Sequence, residues 1–459
     1  MINIQIAGAG AGKTYGLAQQ LVEFCKQSST NKVIYSITFT NAAKSKIEEA
    51  VIEQLGVIPP NLEIETVHTF LLNEIIYPYS QYITGDIYDK ASIVSLPKMR
   101  SHINYQINRL KKLKVIHSSK VFAIARKILD KSHSNNSTRA KRIKVDNVIL
   151  NIKSNIERIY LDEVQDLDTD ALKAFSALGF EGLYIYMIGD PKQAIRYADD
   201  LTDFITNVST EYPEKVNILE PNNISRRVPT EILNISNPFC YPEQQQISLS
   251  KEIGELLYIE SNHQSYDTFI TSHIKSESLV FIDKKTVKYS THKKLNGTFD
   301  PRVADLIATS DHGRDPELMV KVAHIEFCKD VKAKGFNEAY RNLCRKYSIK
   351  LESKEYMITK AYSESILSPD ARYSVTSIDS VKGLDADTCI VILTPNFYKY
   401  FLQSGLTEAN KFNKVWKLVY VALTRAKKQL FFVLDPDVLN GIDVGDIKTE
   451  LERRGFSPY

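Results

Sequence analysis

A chain of 459 residues is too long for one small core, so roughly two to four domains are expected. With 43% hydrophobic and 25% charged residues it reads as an ordinary globular protein, and no apolar run reaches the ~18–20 residues of a membrane span. Five scattered cysteines (Cys25, Cys240, Cys328, Cys344, Cys389) without a C-x-x-C pair argue against a zinc site or a disulfide framework and suit a reducing cytoplasm.

The first elements alternate. Residues 2–6 predict a strand, 7–12 a loop of only Ala and Gly, and 14–27 a helix with Leu17, Leu21 and Phe24 on one face. No N-terminal signal is expected ahead of that loop. Val33–Phe39 and Ala42–Leu55 repeat the strand–helix rhythm, which means a parallel sheet with crossover helices. A basic block then interrupts it. Between Lys98 and Lys144 stand fourteen Lys/Arg and one acid, Asp130, so the rest of the chain is net acidic although the whole is only +4. Such a block suits a phosphate backbone or a solvated helical face. The sheet resumes at Arg158–Leu161 and Leu183–Ile188.

A second half is expected from about 216. Val216–Leu219 predicts a strand, Pro229–Ser236 a helix, and 315–347 helix with Leu318, Val322, Ile325, Phe327 and Leu343 apolar. Tyr373–Ile378 and Thr388–Leu393 predict strands, Lys417–Ala426 a helix, and Gln429–Leu434 a closing strand. The simplest α/β architecture is two parallel sheets, each interrupted once by helices. The first takes residues 1–74 and 151–215 around a basic helical insertion at 75–150. The second takes 216–300 and 366–459 around a reduced helical insertion at 301–365.

Chemistry concentrates at strand ends. Ala9, Gly10, Ala11 and Gly12 let backbone N–H groups approach phosphates, Lys13 adds a point charge, and Thr14 offers a hydroxyl to Mg²⁺ at a helix N-terminus. This departs from the general phosphate loop at Ala7, where a glycine usually stands. Asp162 and Glu163 end a hydrophobic strand, one carboxylate for the metal and one for the attacking water. Gln165-Asp166 behind them adds an amide and a third carboxylate that a moving domain can read. Gln193 closes Gly189-Asp190-Pro191-Lys192-Gln193, which is either a surface turn or a γ-phosphate contact. Phe39 and Asn41 in Thr38–Lys44, with Thr66 and His68, suit base stacking and phosphate gripping, or plain strand-end packing. Arg226, Arg227 and Arg425 are candidates to reach across a cleft. Arg425 stands out because it sits in Val421–Lys427, a mostly apolar helix, where an unpaired guanidinium is costly.

In order, the chain reads Ala-Gly-Ala-Gly-Ala-Gly-Lys-Thr, Thr-Phe-Thr-Asn-Ala-Ala, Thr-Val-His-Thr-Phe, Leu-Asp-Glu-Val-Gln-Asp, Gly-Asp-Pro-Lys-Gln, Val-Lys-Gly-Leu-Asp and Tyr-Val-Ala-Leu-Thr-Arg-Ala. This resembles the UvrD/Rep-like helicases of superfamily 1, over nearly the whole chain. The resemblance implies two RecA-like motor domains with ATP and Mg²⁺ between them and single-stranded DNA across their top. It implies arginine fingers at Arg425 and Arg227 and a γ-phosphate sensor at Gln193. It puts Gly383 and Asp385 (usually Glu) with the nucleotide, and Phe39, Asn41, Thr66, His68 and Lys382 on the DNA strand.

Several departures shape the expectation. No glutamine motif precedes the first strand. Tyr15 and Arg226 stand where the family has Arg and Tyr, so the two are expected to exchange roles beside the base. The third motif lacks its aromatic pair, leaving Tyr197 as the nearby substitute. The implied activity is ATP-dependent translocation or unwinding, 3′ to 5′, on single-stranded DNA and duplex junctions. The alternative is a DNA-stimulated ATPase serving as motor or sensor beside a nuclease, in DNA repair or antiviral defence.

Overall fold

The computed structural model describes every residue except 29, 94–95, 97–99, 198, 241, 292–298, 311–314, 368–371 and 404–413. Lys98, at the head of the basic block, lies outside the described residues. The near half is a six-stranded parallel sheet of β1 (Ile2–Ile6), β2 (Val33–Thr38), β3 (Leu62–Thr66), β4 (Ile156–Leu161), β5 (Tyr184–Gly189) and β6 (Val216–Ile218). Their spatial order is β3-β2-β4-β5-β1-β6. Alternate residues face opposite layers. Ile4, Ile37, Leu161 and Met187 join one core with Phe175, whereas Ile34, Tyr160, Tyr186 and Ile188 join another with Leu17 and Leu21. Burial on both faces is why these strands read as near-continuous apolar runs.

The far half repeats the plan with β7 (Glu255–Glu260), β8 (Leu279–Ile282), β9 (Thr376–Ser377), β10 (Ala386–Ile392), β11 (Ala426–Leu434) and β12 (Ser457–Pro458), in the order β9-β8-β10-β11-β7-β12. Every pairing in both sheets is parallel.

Three expectations change. The strand at 216 was assigned to the second half, but β6 pairs with β1 (Ile2 beside Val216) and completes the first sheet. It caps a strand that would otherwise leave an open edge. The basic block is not a solvated helical face throughout. Helices Val121–Leu129 and Arg139–Asn155 bury Phe122, Ile128, Val145 and Ile149 in the same core as Phe175. The 315–347 helix is broken by Gly335, whose φ of +80° ends Pro316–Lys334 before Phe336–Lys346 begins. Leu318, Val322 and Ile325 are exposed there, while Ala323, Phe327 and Val331 face a separate core with Val303 and Leu343.

Candidate nucleotide site

The carboxyl ends of β1, β2, β4 and β5 converge on one edge of the near sheet, where open parallel sheets place their ligands. β1 runs into the loop 7–12 and then α1 (Lys13–Gln27). Gly10 (φ +70°) and Gly12 (φ +74°) occupy left-handed conformations that turn the chain into the helix. Gly12 caps α1 without a side-chain hydrogen bond, so the N-terminus keeps donors for an anion. Lys13 Nζ lies over the loop, donating to Ala7 O (3.4 Å) and Gly8 O (3.3 Å).

Thr14 Oγ1 donates to Asp162 Oδ2 at 3.0 Å, so the two expected magnesium ligands already meet. Burial, and then the Glu163 charge, push the Asp162 carboxyl up to about 7. A divalent cation beside it would relieve that unfavourable charge, and this hydroxyl–carboxylate pair fits Mg²⁺. Glu163 has a φ of +54°, a strained conformation for a non-glycine residue. Burial alone would raise its carboxyl too, but Lys13 and Lys382 outweigh that and hold it below the usual range. The Gln165 amide donates to Glu163 Oε2 and accepts from Asp190 N (2.9 Å), tying the end of β4 to the end of β5.

Gln193 carries the connection to the far half. Its Nε2 donates to Asp190 Oδ2 (2.9 Å), and its Oε1 accepts from Arg425 Nη2 (3.1 Å). Arg425 is 2% exposed and otherwise donates to Val421 O (3.1 Å), Leu384 O (3.2 Å) and Thr424 Oγ1 (3.3 Å). No carboxylate pairs with it among the described residues. Burial, then the Arg227 charge, push its guanidinium down to about 10. A buried cation held by neutral groups marks a place for an anion. Arg227 donates to Thr424 O (3.0 Å) and lies 3.7 Å from Asp385, yet its buried Nε has no partner among the described residues. Asp385 also pairs with Lys427 (3.0 Å), so its carboxylate is engaged by cations of its own half. Gly383 (φ +79°) accepts Lys46 Nζ at 3.1 Å, a contact that again joins the halves.

Around the loop, Arg226 N donates to Gly10 O (2.9 Å), and Tyr15 lies 50% exposed in the first turn of α1. The loop backbone carries Ala9, Gly10 and Ala11 against far-chain groups: Asn222 Nδ2 donates to Ala11 O (3.2 Å) and Gln246 pairs with Ala9. Gln246 and Asn222 stand outside every quoted string, and Tyr420 stands inside the last one without a role of its own; Lys192, inside Gly-Asp-Pro-Lys-Gln, donates to Gln244 O (3.0 Å).

Beside this site a cleft of about 600 Å³ is lined by Phe39, Lys46, Glu163, Arg196, Lys382 and Leu384. Phe39 meets His68 edge-on at 6.0 Å, and His68 meets Phe122 at 4.8 Å. Burial and the nearby Arg196 lower the His68 pKa, keeping the ring neutral. Lys382 pairs with Asp166, the carboxylate just behind Glu163. Thr66 instead caps a helix, accepting from Thr69 N (3.3 Å) and bonding the Thr69 hydroxyl (2.8 Å). Asn41 opens α2 (Asn41–Leu55) at an exposed position. Tyr197 is half-buried beside Asp168 and Asp200, and the group over the Phe39 ring is the Arg196 guanidinium, at 5.5 Å. The Arg196 guanidinium and the His68 ring are thus the groups against Phe39.

Two parallel sheets that share one phosphate loop, with far-half guanidinium groups on the near-half site, define a two-domain P-loop protein of helicase type. Residues 2–199 match the AAA domain family. The chain is 23% identical to the Gabija protein GajB of Bacillus cereus (strain VD045), over 94% of this chain and 92% of that one. It is also 23% identical to a probable DNA helicase II homolog of Mycoplasma capricolum subsp. capricolum, over 59% of this chain and 44% of that one. An arterivirus nonstructural protein 10 (helicase) solved with DNA overlays 98% of this chain and 62% of that one, at a TM-score of 0.38 and 9% identity. The AAA domain match over residues 2–199 and the two relatives support a UvrD-like, ATP-hydrolysing protein of superfamily 1. No helix among the described residues is long and apolar enough to cross a membrane.

Proposed function

We propose that this chain hydrolyses ATP between its two halves and uses the cycle to step along single-stranded DNA, 3′ to 5′ by family resemblance. The observation that carries the reading is the 3.1 Å hydrogen bond from far-half Arg425 to near-half Gln193. On this reading the loop N–H groups and Lys13 bind the phosphates, and Glu163 orients the attacking water and takes its proton. Thr14 and Asp162 would hold Mg²⁺, which when bound neutralises charge on the β- and γ-oxygens. Gln193 orients the γ-phosphate, and Arg425 with Arg227 stabilises the charge that develops on it. Tyr15 and Arg226 flank the loop and would hold the base by ring and cation–π contact.

Coupling to DNA would run through Gln165 and Asp166. Gln165 holds Glu163, and Asp166 holds Lys382 beside Phe39, so the hydrolytic carboxylate and the strand cleft share one short segment. Single-stranded DNA is expected to stimulate ATP turnover, and a 3′-tailed duplex to be unwound in preference to a 5′-tailed one. A second reading, a DNA-stimulated ATPase that acts beside a nuclease without robust unwinding, is favoured by the Arg196 guanidinium over the Phe39 ring and by the compact second insertion. Stimulation without displacement on either tail would select it. Absence of turnover with and without DNA would overturn both.

A further inference from the structure

The phosphate loop is gripped from the far segment by a side chain outside every recognised string. Gln246 Nε2 donates to Ala9 O (2.8 Å), and its Oε1 accepts from Ala9 N (3.1 Å) and from the Tyr420 hydroxyl (2.7 Å). Its own backbone is fixed twice on Asn237, which donates to Gln246 O (2.9 Å) and accepts from Gln246 N (2.8 Å). The carboxamide is buried, and its reciprocal pair with one peptide unit imitates a strand contact. Gly8 bears the mark of this approach: a Cβ there would lie 2.4 Å from the Gln246 carboxamide carbon and nitrogen. The Gly8 backbone is not left-handed, so close approach rather than φ requires the glycine.

The same amide continues into the hydrolytic groups. Tyr420 Oη lies 3.4 Å from Asp190 Oδ2, the atom that accepts Gln193 Nε2, and Gln193 in turn accepts Arg425. Tyr420 lies in the last turn of the helix Lys414–Leu423, with Arg425 just beyond its end, so the loop tip and the arginine report to the same far-half element.

We propose that Gln246 is a positioning residue that sets the Ala9 peptide of the phosphate loop from the opposite segment, so that the loop reaches hydrolytic geometry only when the two halves are engaged. This rests on the reading of the cleft as an ATP site. Interactions that matter only in the assembled arrangement act on turnover more than on ground-state binding.

The test is kcat for ATP with single-stranded DNA, ADP affinity by calorimetry, and Tm, measured on wild type, Gln246→Leu, Gln246→Ala, Gly8→Ala and Gly8→Ala/Gln246→Ala. Gln246→Leu should lower kcat at least about tenfold while ADP affinity stays within about threefold. Gly8→Ala should cost far less in the Gln246→Ala background than alone, because the obstructing amide is gone. If Gln246→Leu fails to fold, Gln246→Glu keeps the acceptor and loses the donor to Ala9 O, and should lose turnover in the same sense. A Gln246→Leu kcat within about twofold of wild type, or costs of Gly8→Ala and Gln246→Ala that simply multiply, overturns the role of Gln246. Parallel losses of kcat, ADP affinity and Tm would mean packing alone and overturn it too. A wild-type chain without ATP turnover overturns the reading of the site itself.

Discussion

The two sheets share one topology and differ in what their first strands deliver. In the near sheet β1 leads into Gly10, Gly12, Lys13 and Thr14. In the far sheet β7 occupies the equivalent place, but leads into a turn in which His263 Nδ1 accepts from Ser265 N (3.3 Å), with no glycine or lysine to receive phosphate. The far half contributes guanidinium groups instead. A shared fold therefore sets the geometry, and a few side chains at strand ends decide which half binds and which half completes.

The sharpest way to break that comparison is to remove the far half's contribution. Arg425→Ala is expected to lower kcat for ATP by ~10³–10⁵, with ADP affinity nearly unchanged. A fall in affinity alone would make Arg425 an ordinary binding residue of the cleft. Next in size, Phe39→Ala should weaken single-stranded DNA binding by ~1–3 kcal/mol without altering ATP turnover in its absence, read by fluorescence anisotropy at fixed salt. Tyr197→Ala should leave that affinity within about twofold, because stacking losses belong to the residue in the cleft.

Stability distinguishes the halves at a similar scale. Phe327→Ala opens the separate core of the 301–367 helices and should cost that unit ~3–5 kcal/mol, seen as a lower-melting calorimetric transition with ATPase preserved. The smallest expected effect is a pH slope. Burial pushes the Asp385 carboxyl up, but Arg227 and then Lys427 outweigh it and leave it below the usual aspartate value. Its stabilising contribution is then fully present above the unfolded pKa of about 4 and fades as pH falls through the lower folded value. Urea unfolding of wild type and Asp385→Asn should differ by a constant amount at neutral pH and converge only in acid.

The legibility of these features follows their physics. The strands that form continuous apolar runs were readable because burial on both faces leaves them so, whereas Leu62–Thr66, Glu255–Glu260 and Leu279–Ile282 were not, being short runs interrupted or flanked by acids. The loop 7–12 was readable because phosphate contact demands small residues before a helix, and Arg425 as a charge in a mostly apolar stretch, where an unpaired guanidinium is costly. Val216–Ile218 was assigned to the wrong sheet because an edge strand's partner is not encoded in its own three residues. Leu318, Val322 and Ile325 misled because Met319, Ala323, Phe327 and Val331 have an equally helical spacing, and periodicity alone does not choose between faces. Gln246 closes a run of three glutamines, 244–246, with no pattern to mark it, and only its distance to Ala9 reveals it.

The core around Phe299, Val303, Phe327 and Leu343 is distinct from the cores of both sheets. Helices that carry their own interior can be lengthened, trimmed or exchanged by mutation without repacking the motor beneath them. Diversity among relatives should therefore accumulate in this cassette, while the sheets stay constrained by the chemistry they hold together.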